Sequence, residues 1–167
     1  VGDVDVFSLV MDGTEAFGNY MRIKGGAVVQ SLNLGFRLVI EEDQESVLDM
    51  FIGEIRSKFG ELSKEVIVPF KPGMQLEGVE FRVPVRGDKL SLLELSARNA
   101  KEMRMNAMLQ REHTDPDNYR KMVMESLQKQ LGMSVLPEHI ECFDNSNIQG
   151  TNPVSACVVF RDGVPSK

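Results

Sequence analysis

The strongest constraint in this chain is a change of hydrophobic period near residue 43. Before it come three apolar runs separated by glycine turns. Val4 to Met11 is rich in β-branched and apolar residues and stops at Asp12-Gly13. Glu15 to Ile23 ends at Lys24-Gly25-Gly26, and Ala27 to Ile40 carries Val28, Val29, Leu32, Leu34, Phe36, Leu38 and Ile40, several at period two. Period two is the spacing of one face of a strand, and paired turn residues between such runs favour hairpins. The spacing therefore predicts an antiparallel three-stranded meander. After it, Asp43 is a candidate N-cap, and Val47, Met50, Phe51, Ile55 and Phe59 recur every three or four residues. That is an amphipathic helix of about four turns closing near Gly60.

The remaining segments alternate in the same readable way. Glu65 to Phe70 is a short buried strand limited by Pro69 and Pro72, and Val79 to Val85 is another. Asp88 opens a long helix with Leu92, Leu93, Ala97, Ala100, Met103, Ala107 and Met108 on one face. A break at His113-Thr114-Asp115 precedes a second helix, with Asp115 as N-cap, Pro116 at its first position and Gly132 at its end. Residues 1–134 thus read β-β-β-α-β-β-α-α, with a loop or short helix between the last two strands. This is an α/β order with a mixed sheet and helices on its faces. It is similar to the ribonuclease H-like fold, a likeness of topology that is silent on activity. From 135 a new unit begins, with strands at Ile140–Asp144 and Val154–Phe160, a turn through Gln149–Pro153, and a hairpin turn at Arg161-Asp162-Gly163. No internal repeat stands out by identity.

Composition limits the class. Hydrophobic residues at 42% and charged residues at 26% suit a soluble protein with a real core, needing neither disulfides nor a structural metal. No apolar stretch is long enough to span a bilayer, and the start, Val-Gly-Asp-Val-Asp, has no signal-peptide character. Both ends read as positions inside a longer chain. Cys142 and Cys157 lie in apolar strand-like runs, where a free cysteine acts as a small hydrophobe, and their number suits a cytoplasmic protein. The net charge of −6 argues against a strongly autonomous nucleic-acid binder. Its distribution is uneven: −6 over residues 1–70, +2 over 71–134 and −2 over 135–167. Any DNA-facing surface is best sought in the central segment.

Two longer motifs carry a family likeness. Ile140-Glu141-Cys142-Phe143-Asp144-Asn145-Ser146-Asn147-Ile148-Gln149-Gly150-Thr151-Asn152-Pro153-Val154, followed by the strand Ala156 to Gly163, resembles the opening of the catalytic domain of the UvrC family. Upstream, Arg82-Val83-Pro84-Val85-Arg86-Gly87-Asp88-Lys89, then Leu92-Leu93-Glu94-Leu95 and Asn99-Ala100, resembles a second block of that family. Asp3-Val4-Asp5-Val6 with the Gly25-Gly26 turn is a weaker third echo. One departure is Asn147, which stands where the family usually has a histidine. The resemblance implies a fragment of a DNA repair endonuclease that works with UvrB on damaged double-stranded DNA in the cytoplasm. It implies a 3′ cut from an N-terminal GIY-YIG domain and a 5′ cut from a C-terminal ribonuclease H-like domain. On that view residues 1–134 are a non-catalytic middle domain and 135–167 the truncated start of the nuclease, inactive alone.

Among single residues, Asp144 carries the most. Alternation places Ile140, Cys142 and Asp144 on one strand face. Spacing alone favours an Asx turn with Asn145 and Ser146. The resemblance instead implies a ligand for a divalent metal, Mg²⁺ or Mn²⁺, whose partner Asp and His lie beyond Lys167. Hard cations of this kind take carboxylate oxygens and stabilise charge in phosphodiester hydrolysis. Asp3 and Asp5 also sit on a first strand and raise the idea of a second active site, but read as solvent-facing or strand-entry acids. His113 and His139 have no ligand-spaced neighbours and read as capping or surface groups. Arg86 could contact DNA phosphate, while Gly87 beside it is equally explained by a turn before the Asp88 helix. Met103, Met105, Met108, Met122 and Met124 read as core and interhelical filler.

Overall fold

The computed structural model describes residues 2–39, 42–148 and 151–166. Two compact units emerge, residues 1–107 and 108–167, and each is described by itself.

The first unit opens with the expected meander. Strand β1 (Val4–Asp12) pairs antiparallel with β2 (Glu15–Lys24), which pairs antiparallel with β3 (Ala27–Arg37). Helix α1 (Gln44–Phe59) follows, then the short strands β4 (Glu65–Ile67) and β5 (Glu80–Arg82). Strand β4 is parallel to both β1 and β5, so the sheet runs β3-β2-β1-β4-β5. Both short strands stop sooner than the apolar runs suggested. Pro69 follows β4 and Pro84 follows β5, and proline has no N–H to donate to a ladder. Past the strand ends the pairing continues by one bond, from the Val68 N–H to the Arg82 carbonyl, and at the other end the Glu80 N–H donates to the Lys64 carbonyl. The end of the third run at Ile40 lies outside the described residues.

One face of the sheet is covered by α1. The Asp43 side chain accepts the Ser46 N–H at 2.9 Å and fixes the first turn, and that backbone bond holds the Asp43 carboxyl below its usual range. Val47, Leu48, Phe51, Ile52 and Ile55 then face the sheet at helical spacing. Phe7, Tyr20, Val66 and Val68 complete the cluster. Phe51 meets Phe7 and Phe36 edge-on, with centroids 5.3 and 5.4 Å apart. Gly18 makes this possible, because a Cβ there would lie 2.5 Å from the Phe51 ring.

The opposite face meets helix α2 (Asp88–Thr114). Val4, Val6, Met21, Ile23 and Ile67 pack under Leu92 and Leu93. Beyond them the interface turns polar. The buried Ser96 hydroxyl lies 2.9 Å from Ser8 Oγ and 2.7 Å from Asn19 Oδ1. Ion pairs flank the helix, Lys89 to Glu65 at 2.5 Å and Arg104 to Asp12 at 2.7 Å.

In the second unit, α3 (Pro116–Leu131) starts as expected. The Asp115 side chain accepts the Asn118 N–H, Pro116 opens the helix, and left-handed Gly132 closes it by donating to Gln128 and Lys129 carbonyls. Strands β6 (His139–Ile148) and β7 (Thr151–Arg161) pair antiparallel, and the turn residues Gln149 and Gly150 lie outside the described residues. A further strand, β8 (Val164–Ser166), extends the expected hairpin to three strands. The turn into β8 has positive φ at both Asp162 (51°) and Gly163 (73°), matching the positive φ at Gly25 (57°) and Gly26 (80°) between β2 and β3. Two successive positive φ values are what a tight hairpin turn between right-twisted strands requires. Both faces of this small sheet are open: Phe143 is 64% exposed and Val158, on the other face, 50%. Cys142 and Cys157 are accordingly exposed, which corrects the expectation that they serve as small core hydrophobes.

Candidate functional site

Asp144 lies inside a strand. Strand β6 continues through Asn145 to Ile148, so the Asx turn that spacing favoured does not form. Asp144 pairs across the ladder with Ala156, flanked by Phe143 opposite Cys157 and Asn145 opposite Ser155. The Ser155 hydroxyl donates to Asn145 Oδ1 at 2.6 Å, ordering the neighbouring residue on the other face. The Asp144 carboxylate is exposed on the face it shares with Ile140 and Cys142. A carboxylate fixed by a ladder and facing solvent is one hard-oxygen ligand, and among the described residues no hydrogen bond or ion pair engages it. One ligand is not a site: among the described residues no three His, Cys, Asp or Glu side chains are grouped to hold a metal ion. The side chain of Asn147 lies outside the described residues.

The first unit contains a second copy of this hairpin, which sequence identity alone did not reveal. Val4-Asp5-Val6-Phe7-Ser8 runs as Ile140-Glu141-Cys142-Phe143-Asp144 does, apolar, acidic, apolar, Phe, polar. The ladders agree: Val4 faces Ile23 and Phe7 faces Tyr20, as Ile140 faces Phe160 and Phe143 faces Cys157. Ser8, facing Asn19, therefore stands where Asp144 stands, facing Ala156. It is 1% exposed and bonded to Ser96. A neutral hydroxyl sealed beneath a helix is a poor counterpart of an open carboxylate.

Asp5 corrects another expectation. Rather than facing solvent, it is fully buried. Its Oδ1 accepts from Tyr20 Oη and Arg22 Nε, each at 2.9 Å, and its Oδ2 from Ser63 N at 2.6 Å and Arg22 Nη2 at 3.2 Å. Four donors, one a guanidinium fork, occupy both oxygens. Arg22 is anchored in turn to the Glu61 carbonyl, and its bond to Asp5 raises its already high pKa. Burial, and then the adjacent Asp5 charge, hold the Tyr20 phenol protonated well above its usual range. With every lone pair engaged, Asp5 is a structural keystone. A signal existed in the sequence: a tight turn at Gly13-Thr14 sets Asp5 opposite Arg22 by simple counting. Asp3, by contrast, is exposed and accepts the Gly25 N–H.

The other candidates stay apart. Arg86 is exposed in the loop before α2, and Gly87, with φ 76°, offers its carbonyl to the Leu90 and Ser91 N–H groups. Exposed His113 lies in the last turn of α2, and His139 pairs with Glu141 at 3.0 Å. Met103 and Met108 are half-buried and Met124 buried, as filler should be, while Met105 and Met122 are exposed.

The sheet order β3-β2-β1-β4-β5, antiparallel then parallel, with helices on both faces, makes the first unit a ribonuclease H-like domain. The second unit repeats that fold's opening hairpin, now with an open carboxylate. Comparison with protein families agrees. Residues 3–107 match the UvrC Ribonuclease H-like domain, and residues 128–167 match the UvrC RNAse H endonuclease domain. The chain belongs to the UvrC family. It is 45% identical over 167 residues to UvrABC system protein C of Flavobacterium johnsoniae and 46% to that of Flavobacterium psychrophilum, covering 100% of this chain and 28% of each relative. The Bacteroides fragilis protein of the same name is 43% identical over 166 residues, 99% of this chain and 27% of the relative. No solved structure matches.

Proposed function

We propose that this chain is an internal part of a DNA repair excinuclease, in which Asp144 is a metal ligand of the nuclease making the 5′ incision. The observation that carries this reading is the placement of Asp144. It is an open carboxylate in the interior of β6, within the residues that match the endonuclease domain. A divalent cation such as Mg²⁺ or Mn²⁺, completed by ligands outside these residues, would there stabilise charge on the attacking and leaving oxygens of a phosphodiester. Residues 135–167 supply the first strands of that nuclease. The open faces of the β6-β7-β8 sheet suit strands whose covering elements come from elsewhere in the protein. The protein would act in the cytoplasm with UvrB on damaged double-stranded DNA, the 3′ cut belonging to another domain. No helix among the described residues is long and apolar enough to cross a membrane.

Residues 1–134 are the non-catalytic partner in this reading, a scaffold toward DNA or UvrB. Its support is chemical: Ser8 replaces the carboxylate, and Asp5 is saturated by Arg22, Tyr20 and Ser63. Arg86, exposed before α2 in the more basic central segment, is its candidate phosphate contact.

The test uses a full-length relative-sized protein carrying this sequence, with UvrB and a lesion-bearing duplex. Asp144→Ala should lower 5′ incision by more than about a hundredfold while the 3′ cut proceeds, because losing a first ligand exceeds the cost of losing a supporting one. Undiminished 5′ incision by that variant removes Asp144 from the mechanism.

A further inference from the structure

Strand β3 is an outermost strand of the five-stranded sheet, and among the described residues no backbone hydrogen bond joins its outer edge to another element. Protein edges are usually blunted by charges, prolines or bulges, since a bare row of N–H and C=O groups templates further pairing. Here the blunting is local. The ladder pairs Arg22 with Gln30 and Ile23 with Val28, so Val29 is bulged out near the strand's start. From Gln30 to Arg37 the pairing with β2 is regular, and no charged residue or proline occurs before Arg37.

That regular stretch is complementary to itself. Leu32, Leu34 and Phe36 share one face, half-buried against the α1 cluster, while Ser31, Asn33, Gly35 and Arg37 share the other. Two copies related by a twofold axis normal to the sheet would meet edge to edge, antiparallel and with like faces aligned. Centring the axis on Leu34 sets Leu34 against its own copy and Leu32 against Phe36, three apolar pairs that continue one face across the join. It also sets Ser31 against Arg37 twice, with no like charges opposed, and leaves the bulged Val29 outside. Centring on Asn33 instead opposes Gln30 to Phe36 and needs Val29 in the ladder. The first register is the better one.

We propose that the β3 edge is a self-association strand, through which two copies of this chain join their sheets into one continuous antiparallel–mixed sheet with Leu34 at the axis. The experiment is sedimentation velocity on a full-length protein carrying this sequence over a wide concentration range, with two variants at exposed Ser31. Its one side-chain bond, to Asn19 at 3.4 Å, is long, so either substitution should leave the fold intact, as circular dichroism would verify. Ser31→Lys opposes Arg37 of the second copy and should weaken the dimer about fivefold; Ser31→Glu pairs with it and should tighten the dimer about fivefold. Opposite shifts support the proposal and its register. A chain monomeric at every concentration leaves the edge to some other extended segment and overturns the proposal, and so do equal shifts by the two variants.

Discussion

The β1–β2 and β6–β7 hairpins pair their residues alike, yet Phe7 is fully buried and its counterpart Phe143 is 64% exposed. The same contrast holds for Met21, 1% exposed, against Val158 at 50%. The shared register follows the period-two alternation that both hairpins carry in their first strands. Burial is set by what other elements bring. In the first hairpin α1 and α2 close both faces, and the chain has filled the covered positions with Ser8 and with a saturated Asp5. In the second hairpin the faces are open and the carboxylate at the matching position is exposed. On the proposed reading, a strand motif that would hold a metal when open becomes a packing unit when sealed, because an unpaired buried charge is costly.

The largest test of this contrast uses one substitution in both hairpins. Phe7→Ala empties the junction of Tyr20 and Phe51, whose rings lie 5.1 and 5.3 Å away, and should cost about 3–5 kcal/mol of unfolding free energy. Phe143→Ala in the same chain should change stability by no more than about 0.5 kcal/mol, as surface substitutions do. Urea unfolding of the two variants decides the matter. Equal losses would mean that the second hairpin is as closely packed as the first.

Next in size is the Asp5–Arg22 pair. Arg22→Met leaves a fully buried carboxylate without its cation and should cost about 3–5 kcal/mol. Adding Asp5→Asn removes the charge and keeps one oxygen to accept from Ser63 or Tyr20, so the double variant should regain most of that loss. A double variant no more stable than Arg22→Met would show that packing of the guanidinium, not its charge, is what matters.

These elements differ in how readily sequence discloses them. The meander, α1 and the Asp115–Gly132 helix were legible because period, cap and turn residues agree over many positions. Strand ends at β4 and β5 were overestimated, since apolar runs continue past the prolines that end the ladder. The motif drew attention to Asp144, but its strand-interior setting was not legible, because Asp-Asn-Ser reads locally as a turn. Asp5 was misjudged for a general reason. Period two told which face it occupied, but the guanidinium, phenol and Ser63 amide that satisfy it come from 15 to 58 residues away. The duplicated hairpin escaped because it conserves register and residue class, with Phe as its shared side chain in the five aligned residues of the first strand.

The finest distinction between the hairpins is the hydroxyl of Tyr20, opposite Phe7, where the second hairpin has Cys157 opposite Phe143. Tyr20 donates to Asp5 only while protonated, and burial and Asp5 raise its pKa in the folded state. A group raised on folding contributes stability that is complete below its unfolded pKa, about 10 for tyrosine, and lost as pH climbs from there toward the folded value. The wild-type chain should therefore lose stability from this group above pH ~10, by up to about 1.4 kcal/mol per pH unit. Tyr20→Phe should cost about 1–2 kcal/mol at neutral pH, since Asp5 Oδ1 keeps Arg22 Nε but loses one of its two donors. In exchange its alkaline profile should be flatter by that slope. Denaturant unfolding at pH 7 and through the alkaline range measures both. A variant as alkali-sensitive as the wild type would place the sensitivity elsewhere and reduce the Tyr20 hydroxyl to a packing group.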